Sequence, residues 1–277
     1  MHTVTDALRA ATAAGLDRLD AQMLVLHALG RPASDRAWLL AHDRDALDSR
    51  AVQACQELFS RRAAGEPVAY LLGAKEFFGL PLAVDARVLV PRPDTETLVQ
   101  WALDLLPAQR PAHVLDLGTG SGAIALAVAA NRPRATVHAV DESDGALAVA
   151  RGNAAALGLP VRFFAGDWFD GAPERLYDLV LSNPPYIVDG DAHLAALRHE
   201  PLTALTSGAD GLEDLRAIVA AAPGRLAAGG WLLLEHGWDQ AASVRALLNV
   251  AGLEEVQSRP DLGGIERCSG GRMPQRG

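Results

Sequence analysis

The residues best suited to chemistry follow an apolar stretch at 177–181, where the chain continues Ser-Asn-Pro-Pro-Tyr. Pro184 and Pro185 fix φ and lack an amide donor, which leaves the backbone carbonyls of Asn183 and Pro184 free to accept hydrogen bonds. The Asn183 side chain adds another acceptor, and Tyr186 can stack over a planar group or wall the pocket. Together these residues can hold both N–H groups of a planar amino group.

This arrangement predicts methyl transfer to nitrogen. An amide or aromatic amine nitrogen is a poor nucleophile because its lone pair is delocalised. Two acceptors on its hydrogens return electron density to the nitrogen and fix its line of attack on a methyl group. A methyl group on a sulfonium is already activated, so no strong base is required at the start. The competing interpretation is structural, namely a rigid Pro-Pro turn after a core strand.

A glycine-rich turn follows another apolar stretch, in the segment Val-Leu-Asp-Leu-Gly-Thr-Gly-Ser-Gly of residues 114–122. Glycines let a ligand approach the backbone, since no Cβ intervenes. The next predicted strand ends in Asp141, whose carboxylate can accept hydrogen bonds from both hydroxyls of a ribose. We therefore predict nucleotide-type binding by Asp141 and by the turn residues Gly118, Thr119, Gly120, Ser121 and Gly122.

The same residues fit two kinds of cofactor. Gly118, Gly120 and Ala123 satisfy the dinucleotide pattern G-x-G-x-x-G/A, with Asp141 at about the expected offset. Asp116, just before the glycines, suits a cationic ligand such as S-adenosylmethionine better than a pyrophosphate, because it can orient the loop or the amino-acid end of that ligand. Capping of the loop is the structural explanation of Asp116. The turn alone leaves the cofactor open.

Two more candidate residues follow a third predicted strand. Asp167 can accept a hydrogen bond from the exocyclic amine of an adenine, and Trp168 can cover the ring. The structural alternative is a turn aspartate beside a core tryptophan.

Strands and helices alternate from residue 113 onward, which predicts an α/β fold with a mostly parallel sheet and helices on both faces. In such sheets, ligands bind beyond the carboxyl ends of the strands, where the motifs above lie. The predicted strands cover 113–117, 135–140, 161–164, 177–181 and 231–235. The predicted helices cover 122–130, 145–157, 212–222 and 240–250.

The preceding part of the chain has a different pattern. Residues 1–74 are predicted to form a small domain of helices, and 75–92 a β-hairpin linker that turns at residues 79–81. Asp94 or Thr95 is expected to cap the first helix of the remaining domain, residues 93–277.

Composition excludes several classes of protein. The 277 residues carry 25 basic and 34 acidic side chains, a net charge of −9, which argues against a protein that grips long stretches of nucleic acid. Cys55 and Cys268 are too few and too far apart for a disulfide framework or a cysteine-based zinc site. No histidine spacing indicates a metal site. No secretory signal is visible, and the longest apolar run, 123–130, is too short for a bilayer. We expect a cytoplasmic protein.

With these motifs in place, the chain resembles the release-factor glutamine methyltransferases, protein-(glutamine-N5) methyltransferases that modify the glutamine of the Gly-Gly-Gln motif of peptide chain release factors. The resemblance covers nearly the whole chain, and the Pro-Arg-Pro-Asp-Thr-Glu segment beside a helical amino-terminal domain is its more specific signature. The matching segments are residues 61–62, 65–67, 91–96, 116–125, 167–169, 182–187, 200–205 and 234–237.

The resemblance implies a Rossmann-like, mostly parallel seven-stranded sheet, S-adenosylmethionine as cofactor and S-adenosylhomocysteine as product. It implies release factors as protein substrates, recognised in part by the helical domain, and no membrane or direct nucleic-acid binding. It places the cofactor against residues 118–122, Asp141, Trp168 and Asn183. The glutamine is expected against residues 183–186, with Asn183, Pro184 and Tyr186 as catalytic residues. Pro93, Thr95 and Glu96 are expected near the mouth of that site.

Other functions compete with this one. An adenine-N6 methyltransferase on DNA or RNA would use the same acceptors, but the net charge and the nearly neutral helical segment speak against it. A nicotinamide-dependent oxidoreductase would leave residues 183–186 without a role. A non-enzymatic binding module would not need the acceptor geometry.

Overall fold

The computed structural model describes residues 2–275, and the chain divides into two compact units, Met1–Ala74 and Lys75–Gly277. Within the described part of the first unit, the structure is helical and has a hydrophobic core of its own, which includes Leu24, Cys55 and Phe59. Its helices are α1 (Val4–Ala13), α2 (Arg18–Ala28), α3 (Arg36–Ala41), α4 (Ser49–Ala63) and α5 (Val68–Leu72).

Side chains at the helix starts explain where two of these helices begin. Thr3 and Asp6 form a capping box at α1, in which each side chain accepts a hydrogen bond from the other residue's backbone N–H. The Asp48 carboxylate accepts from the Ala51 N–H at 2.7 Å and starts α4. Each cap satisfies backbone donors that a helix start leaves unpaired.

The chain enters the second unit at a hairpin of β1 (Ala74–Phe77) and β2 (Leu80–Ala83). The sequence predicts a turn at residues 79–81. This is wrong, because the turn begins one residue earlier and consists of Phe78 and Gly79. Both have positive φ, 51° and 79°, the conformation of a two-residue hairpin turn. Phenylalanine gives no turn signal. Its backbone N–H donates to the Glu96 carboxylate at 3.0 Å, a contact 18 residues away.

Alternating strands and helices build the rest of the unit. Their bounds are α6 (Glu96–Leu105), β3 (Ala112–Leu117), α7 (Ala123–Asn131), β4 (Ala135–Asp141), α8 (Asp144–Leu157), β5 (Arg162–Ala165), β6 (Tyr177–Ser182), α9 (Glu213–Ala221), β7 (Leu226–Glu235), α10 (Ala241–Val250), β8 (Glu254–Pro260) and β9 (Glu266–Arg272). Among residues 2–275, seven strands form one sheet in the order β5-β4-β3-β6-β7-β9-β8, parallel from β5 to β7. The predicted α/β class with a mostly parallel seven-stranded sheet is confirmed.

Apolar layers cover both faces of this sheet. One layer contains Trp101 of α6 and Leu126 of α7, and the other contains Leu215 of α9 and Leu248 of α10. Every residue of α7 from Ala123 to Ala129 is buried, which accounts for the absence of an amphipathic pattern there. In the part of the chain that the structure covers, no helix has the length and apolar character needed to cross a bilayer.

The last two strands were not predicted from the sequence. β9 runs antiparallel to both β7 and β8. β8 is polar and mostly exposed, and β9 contains Gly270 and Gly271, so neither has the apolar alternation that identifies a strand. β7 starts at Leu226 rather than at 231. The glycines at 229 and 230 interrupt the apolar pattern, so the sequence does not reveal the first half of the strand.

The glycines of β9 allow a close approach of the packed layer. A Cβ built on Gly270 would lie 2.8 Å from the Leu232 carbonyl oxygen and 3.1 Å from Cη2 of Trp101. Gly270 is therefore required by packing rather than by its backbone angles.

We expect Gly270→Ala to lower the free energy of unfolding by about 1–3 kcal/mol, because the added methyl group overpacks the core. Urea denaturation followed by circular dichroism measures this. The control is Gly152→Ala in α8, where a Cβ meets nothing within 4 Å; it should be neutral or stabilise by about 0.5–1 kcal/mol. Equal effects of the two substitutions would contradict the packing explanation.

Candidate active site

Four parallel strands end side by side and deliver the predicted site residues to one edge of the sheet. β3 leads into the glycine turn, β4 ends in Asp141, β5 leads to Trp168 and β6 leads to Asn183. The Ser182 hydroxyl donates to the carbonyl of Leu117 at 2.8 Å. This bond joins the ends of β3 and β6 at the point where both motifs begin.

The glycine turn is held by backbone and side-chain hydrogen bonds. Gly118, Gly120 and Gly122 all have positive φ, between 57° and 84°, a region that other residues rarely adopt. The Thr119 N–H donates to the Val140 carbonyl at 2.9 Å, which fixes the turn against β4. The conformation of the turn is therefore set by its glycines and by its contact with the neighbouring strand.

Asn153 of α8 ties this turn to the hairpin. Its Nδ2 donates to the carbonyls of Ser121, at 2.9 Å, and Ala83, at 3.0 Å, while its Oδ1 accepts from the Ala83 N–H at 2.8 Å. Sequence analysis missed this residue. An asparagine in an alanine-rich helix was the available signal.

Asp116 lies beneath the turn. It is fully buried, and its Oδ2 accepts from the Thr119 hydroxyl at 2.6 Å and from the Ala125 N–H at 3.2 Å. Burial raises the pKa of its carboxyl from 3.8 to about 7. Asp116 does not line the cavity described below, so its contacts favour the loop-positioning role over contact with the amino-acid end of a cofactor.

Asp141 faces the cavity. Its Oδ2 accepts from the Gly120 N–H at 2.8 Å, and its Oδ1 accepts from the Ser143 N–H at 2.9 Å. Burial raises the pKa of this carboxyl, and the two backbone hydrogen bonds oppose the shift. Each oxygen keeps a lone pair for a further donor, as two ribose hydroxyls would require.

Trp168 packs on the glycine turn. A Cβ at Gly118 would lie 3.1 Å from Cζ3 of this indole. Any larger residue at this position would therefore push the ring away. Trp168 has a positive φ of 39°, which is rare for a bulky side chain. Tertiary packing holds the ring over the turn, where it could cover one face of a bound adenine.

These elements enclose a cavity of about 1120 Å³, part of which opens to solvent. Most of the predicted site residues line it: Gly118, Thr119, Gly120, Ser121, Asp141, Trp168, Asn183 and Pro185. Gly122, Pro184 and Tyr186 do not. Gly122 instead gives α7 a close start, since a Cβ there would lie 3.0 Å from Leu126 and 3.3 Å from Ala150.

The Asn183 side chain is anchored from its nitrogen end. Its Nδ2 donates to the Thr95 hydroxyl at 3.2 Å. Thr95 was expected as a helix cap, but neither it nor Asp94 caps α6: the helix follows a 3₁₀ turn, Pro93–Thr95, and the Thr95 side chain makes no cap bond. The prediction of a cap is wrong because a tertiary contact uses the hydroxyl.

Tyr186 is not among the residues that line the cavity, and it lies near Glu235 at the end of β7. Burial raises the pKa of Glu235 to about 7, and interactions with the side chains of Thr95 and Tyr186 oppose this shift. Burial and the charge of Glu235 raise the pKa of Tyr186. The ring packs at the edge of the core, and its stacking over the substrate stays a prediction.

Glu200 joins two segments of the cavity wall and was also missed as a site residue. Its carboxylate accepts from Arg92 at 2.5 Å and from the Val90 N–H at 3.0 Å, and its side chain is 2% exposed. It joins segment 87–92 to segment 201–204, and both segments contribute to the cavity wall. Its place next to Pro201 in a matching segment was the only signal in the sequence.

Known proteins resemble this chain along its length. Residues 1–73 match the PrmC N-terminal domain, and residues 95–235 match the methyltransferase small domain. The release factor glutamine methyltransferase of Bordetella pertussis is 56% identical over 262 residues, covering 94% of this chain and 96% of that protein. The one from Escherichia coli K12 is 41% identical over 277 residues, covering 99% of each.

The chain belongs to the release factor glutamine methyltransferase family. A solved methyltransferase from Pyrococcus furiosus shares the fold, with a TM-score of 0.57 at 19% identity, covering 78% of this chain and 99% of that one. The predicted family and the predicted S-adenosylmethionine-dependent methyltransferase class are confirmed.

The cavity of this family member fits S-adenosylmethionine. Glycines at positions 118 and 120 open the turn to a ligand, and a carboxylate with free lone pairs stands at position 141. The acidic residues Asp141, Glu142, Asp167 and Asp214 line the cavity and outnumber its arginines, Arg87 and Arg92. An acidic lining suits the sulfonium and ammonium groups.

We expect Asp141→Asn to weaken S-adenosylmethionine binding by about 1.5–3 kcal/mol, the size of a charge-assisted hydrogen bond. An amide would also place an NH₂ against one of the two backbone N–H groups that the carboxylate holds. Calorimetry with S-adenosylmethionine and S-adenosylhomocysteine measures the loss. Asp144→Asn, an exposed neighbour outside the lining, controls for charge. Unchanged affinity in Asp141→Asn would remove Asp141 from the site.

Burial of Asp116 predicts a pH dependence of stability. Because its pKa is raised in the folded state, the native protein holds this proton more tightly than the unfolded chain does. The resulting stabilisation is present below about pH 4 and lost as the pH rises toward about 7. Asp116→Asn removes the titrating carboxyl group. Its side-chain oxygen can still accept hydrogen bonds from the Thr119 hydroxyl and the Ala125 N–H.

We therefore expect the free energy of unfolding of Asp116→Asn, relative to the wild type, to rise between about pH 4 and 7. The slope is at most about 1.4 kcal/mol per pH unit. Urea titrations at several pH values measure it. Glu235 titrates in both proteins and cancels in the difference. Parallel stability curves would show that Asp116 does not carry a raised pKa.

Proposed function

We propose that this chain transfers the methyl group of S-adenosylmethionine to the side-chain amide nitrogen of the glutamine in the Gly-Gly-Gln motif of peptide chain release factors. One observation carries the proposal. Asn183 and Pro185 line the same cavity as the glycine turn and Asp141, so the turn that suits a planar amide borders the site that suits the methyl donor.

The cofactor would be held by residues 118–121, by Asp141 and by Trp168. When bound, S-adenosylmethionine supplies a methyl group activated by the sulfonium. The protein has to hold the acceptor nitrogen in line with that methyl group and leave its lone pair free. Because no strong base is needed at the start, the proton can leave late, to water.

The Asn183 side-chain oxygen and the Pro184 carbonyl would accept the two N–H groups of the glutamine amide. The turn that carries them is fixed on both sides. The backbone N–H groups of Tyr186 and Ile187 donate to the Leu205 carbonyl, at 3.2 and 2.9 Å, and Gln240 Nε2 donates to the Tyr186 carbonyl at 3.1 Å. Such preorganised acceptors stabilise positive charge that develops on nitrogen in the transition state.

The helical unit, residues 1–74, would select the protein partner. It has a separate hydrophobic core, and it matches a domain described for this family. Asn-Pro-Pro-Tyr alone also suits an adenine amine. The net charge of −9 opposes binding to a nucleic-acid backbone, which favours the protein substrate.

We expect Asn183→Ala to lower the single-turnover rate by about 10²–10³-fold, since it removes one preorganised acceptor. Asn183→Asp keeps an acceptor of similar shape and should retain more activity than the alanine variant. Asn249→Ala, on the exposed side of α10, is the matched control. An Asn183→Ala protein that stays folded and works at the wild-type rate would refute the acceptor role.

The substrates of this assay separate the competing functions. Purified release factor should accept labelled methyl, release factor with its Gly-Gly-Gln glutamine replaced should not, and duplex DNA should not. Label in DNA but not in protein would favour the adenine-N6 methyltransferase instead.

A further inference from the structure

The acceptor turn, residues 183–186, cannot be held by backbone donors at its middle. Pro184 and Pro185 lack a backbone N–H, so neither can donate a hydrogen bond that would anchor the turn there. The position of the turn therefore depends on bonds at its two ends. Its amino-terminal end continues β6, where the Ser182 hydroxyl donates to the Leu117 carbonyl at 2.8 Å. The carboxyl-terminal end needs an anchor of its own.

Gln240 supplies that anchor from the start of α10. Its Nε2 donates to the Tyr186 carbonyl at 3.1 Å and to the Gly211 carbonyl at 3.2 Å. Its Oε1 accepts from the Gly237 N–H at 2.8 Å. One side chain thus joins the end of the acceptor turn to the segment before α9 and to the segment after β7.

Only one orientation of the Gln240 amide satisfies these three contacts. A backbone carbonyl oxygen only accepts hydrogen bonds, and a backbone N–H only donates. If the amide were turned over, Oε1 would face two carbonyl oxygens and Nε2 would face an N–H group, so all three contacts would become repulsive. The partners therefore fix the NH₂ group toward Tyr186.

The Gly237 peptide that orients Gln240 is itself held. Its carbonyl accepts from the Gln240 N–H at 3.1 Å and from His236 Nδ1 at 2.9 Å. Because Nδ1 has to donate to a carbonyl, Nε2 of the neutral imidazole accepts, and its partner is the Ser269 hydroxyl at 2.8 Å. Burial lowers the pKa of His236, which favours this neutral ring. The anchor is therefore connected to β9 in the core of the sheet.

Two further observations distinguish this role from that of an ordinary helix start. Gln240 directly precedes α10, yet its side chain makes no capping hydrogen bond. Gly211 comes so close that a Cβ there would overlap the Tyr186 carbonyl oxygen and lie 2.8 Å from Gln240 Nε2. The glycine at position 211 thus leaves room for the contact between Gln240 and the acceptor turn.

We propose that Gln240 is a positioning residue for methyl transfer: by holding the Tyr186 carbonyl, it keeps the acceptors of Asn183 and Pro184 in line with the methyl donor. Gln240 does not line the cavity, so it acts through the turn rather than by contact with the substrate. This inference rests on the proposed function, because the acceptors have a role only where a planar amide binds.

The first test breaks the contact with Tyr186 in two independent ways. Gln240→Met keeps the length of the side chain but removes its donor and its acceptor, and Gly211→Ala inserts a Cβ between the two groups. Both should lower kcat on release factor about 10- to 100-fold, the cost of misplacing a reacting group. The affinity for S-adenosylmethionine, measured by calorimetry, should stay at the wild-type value, because residues 118–121 and Asp141 are held by other bonds.

Two controls match these substitutions. Gln257→Met makes the same side-chain change at an exposed position of β8. Gly252→Ala imposes similar backbone strain, since φ is 81° there and 71° at Gly211, but its Cβ would meet nothing within 4 Å. Both controls should keep the wild-type kcat. Equal losses of kcat in the test and control variants would overturn the positioning role, and so would a wild-type kcat in folded Gln240→Met.

A measurement on the protein alone separates this inference from the proposed function. The carbonyl-carbon NMR resonance of Tyr186 should move upfield in Gln240→Met, because its oxygen loses a hydrogen bond. Gln240→Glu, ionised at about pH 8, should show the same shift but keep the Gly237 N–H protected from exchange, since a carboxylate oxygen still accepts it. An unchanged Tyr186 resonance in both variants would refute the anchor. A wild type that methylates no release factor, with the resonance shifting as expected, would refute the proposed substrate and leave the anchor supported.

Discussion

The parallel pairing of β3 with β6 is the interaction on which the candidate site depends. Leu117 pairs with Ser182 at the end of the ladder, and the Ser182 hydroxyl bonds to the Leu117 carbonyl across 65 residues of sequence. One step beyond that pair, one strand enters the glycine turn and the other enters Asn-Pro-Pro-Tyr. Because parallel neighbours end at the same edge, the residues suited to the methyl donor and those suited to its acceptor meet in one cavity.

Buried carboxyl groups organise this edge at a cost to stability. Burial raises the pKa values of Asp116, Asp141 and Glu235, so each is harder to ionise than in water. Asp116 and Asp141 each accept hydrogen bonds from residues of the glycine turn. Asp116 and Asp141 hold the glycine turn, and Glu235 interacts with the side chains beside Asn183. Burial of these carboxyl groups lowers stability near neutral pH, and it fixes the directions of the hydrogen bonds that they accept.

Glu200 has the same role between two further segments of the cavity wall. A single carboxyl group, almost wholly buried, binds a backbone N–H and an arginine from a segment 110 and 108 residues earlier in the chain. Removing one partner of such a buried pair leaves an uncompensated charge, so the two segments keep their relative positions. The cavity is thus framed by acids from several parts of the second unit.

Much of this protein could be predicted from its sequence. Local rules sufficed where the signal is short-range: the alternation from residue 113 onward predicts the parallel sheet, the glycines at 118, 120 and 122 predict a turn open to a ligand, and Pro184 with Pro185 predicts a rigid turn with free acceptors. Asp141 was assigned to the cavity because the end of a strand is recognisable from its neighbours.

Tertiary structure alone decided the rest. β8 and β9 have no apolar alternation. β8 is an exposed edge strand, and β9 contains glycines, of which Gly270 lets the strand pack closely against Trp101. Thr95 has the sequence context of a helix cap, yet its hydroxyl serves Asn183. Tyr186 follows two prolines in sequence, yet its ring packs against a core cluster built from distant strands and helices. A sequence specifies which groups can donate and accept, but which ones meet depends on contacts between strands and loops far apart in the chain.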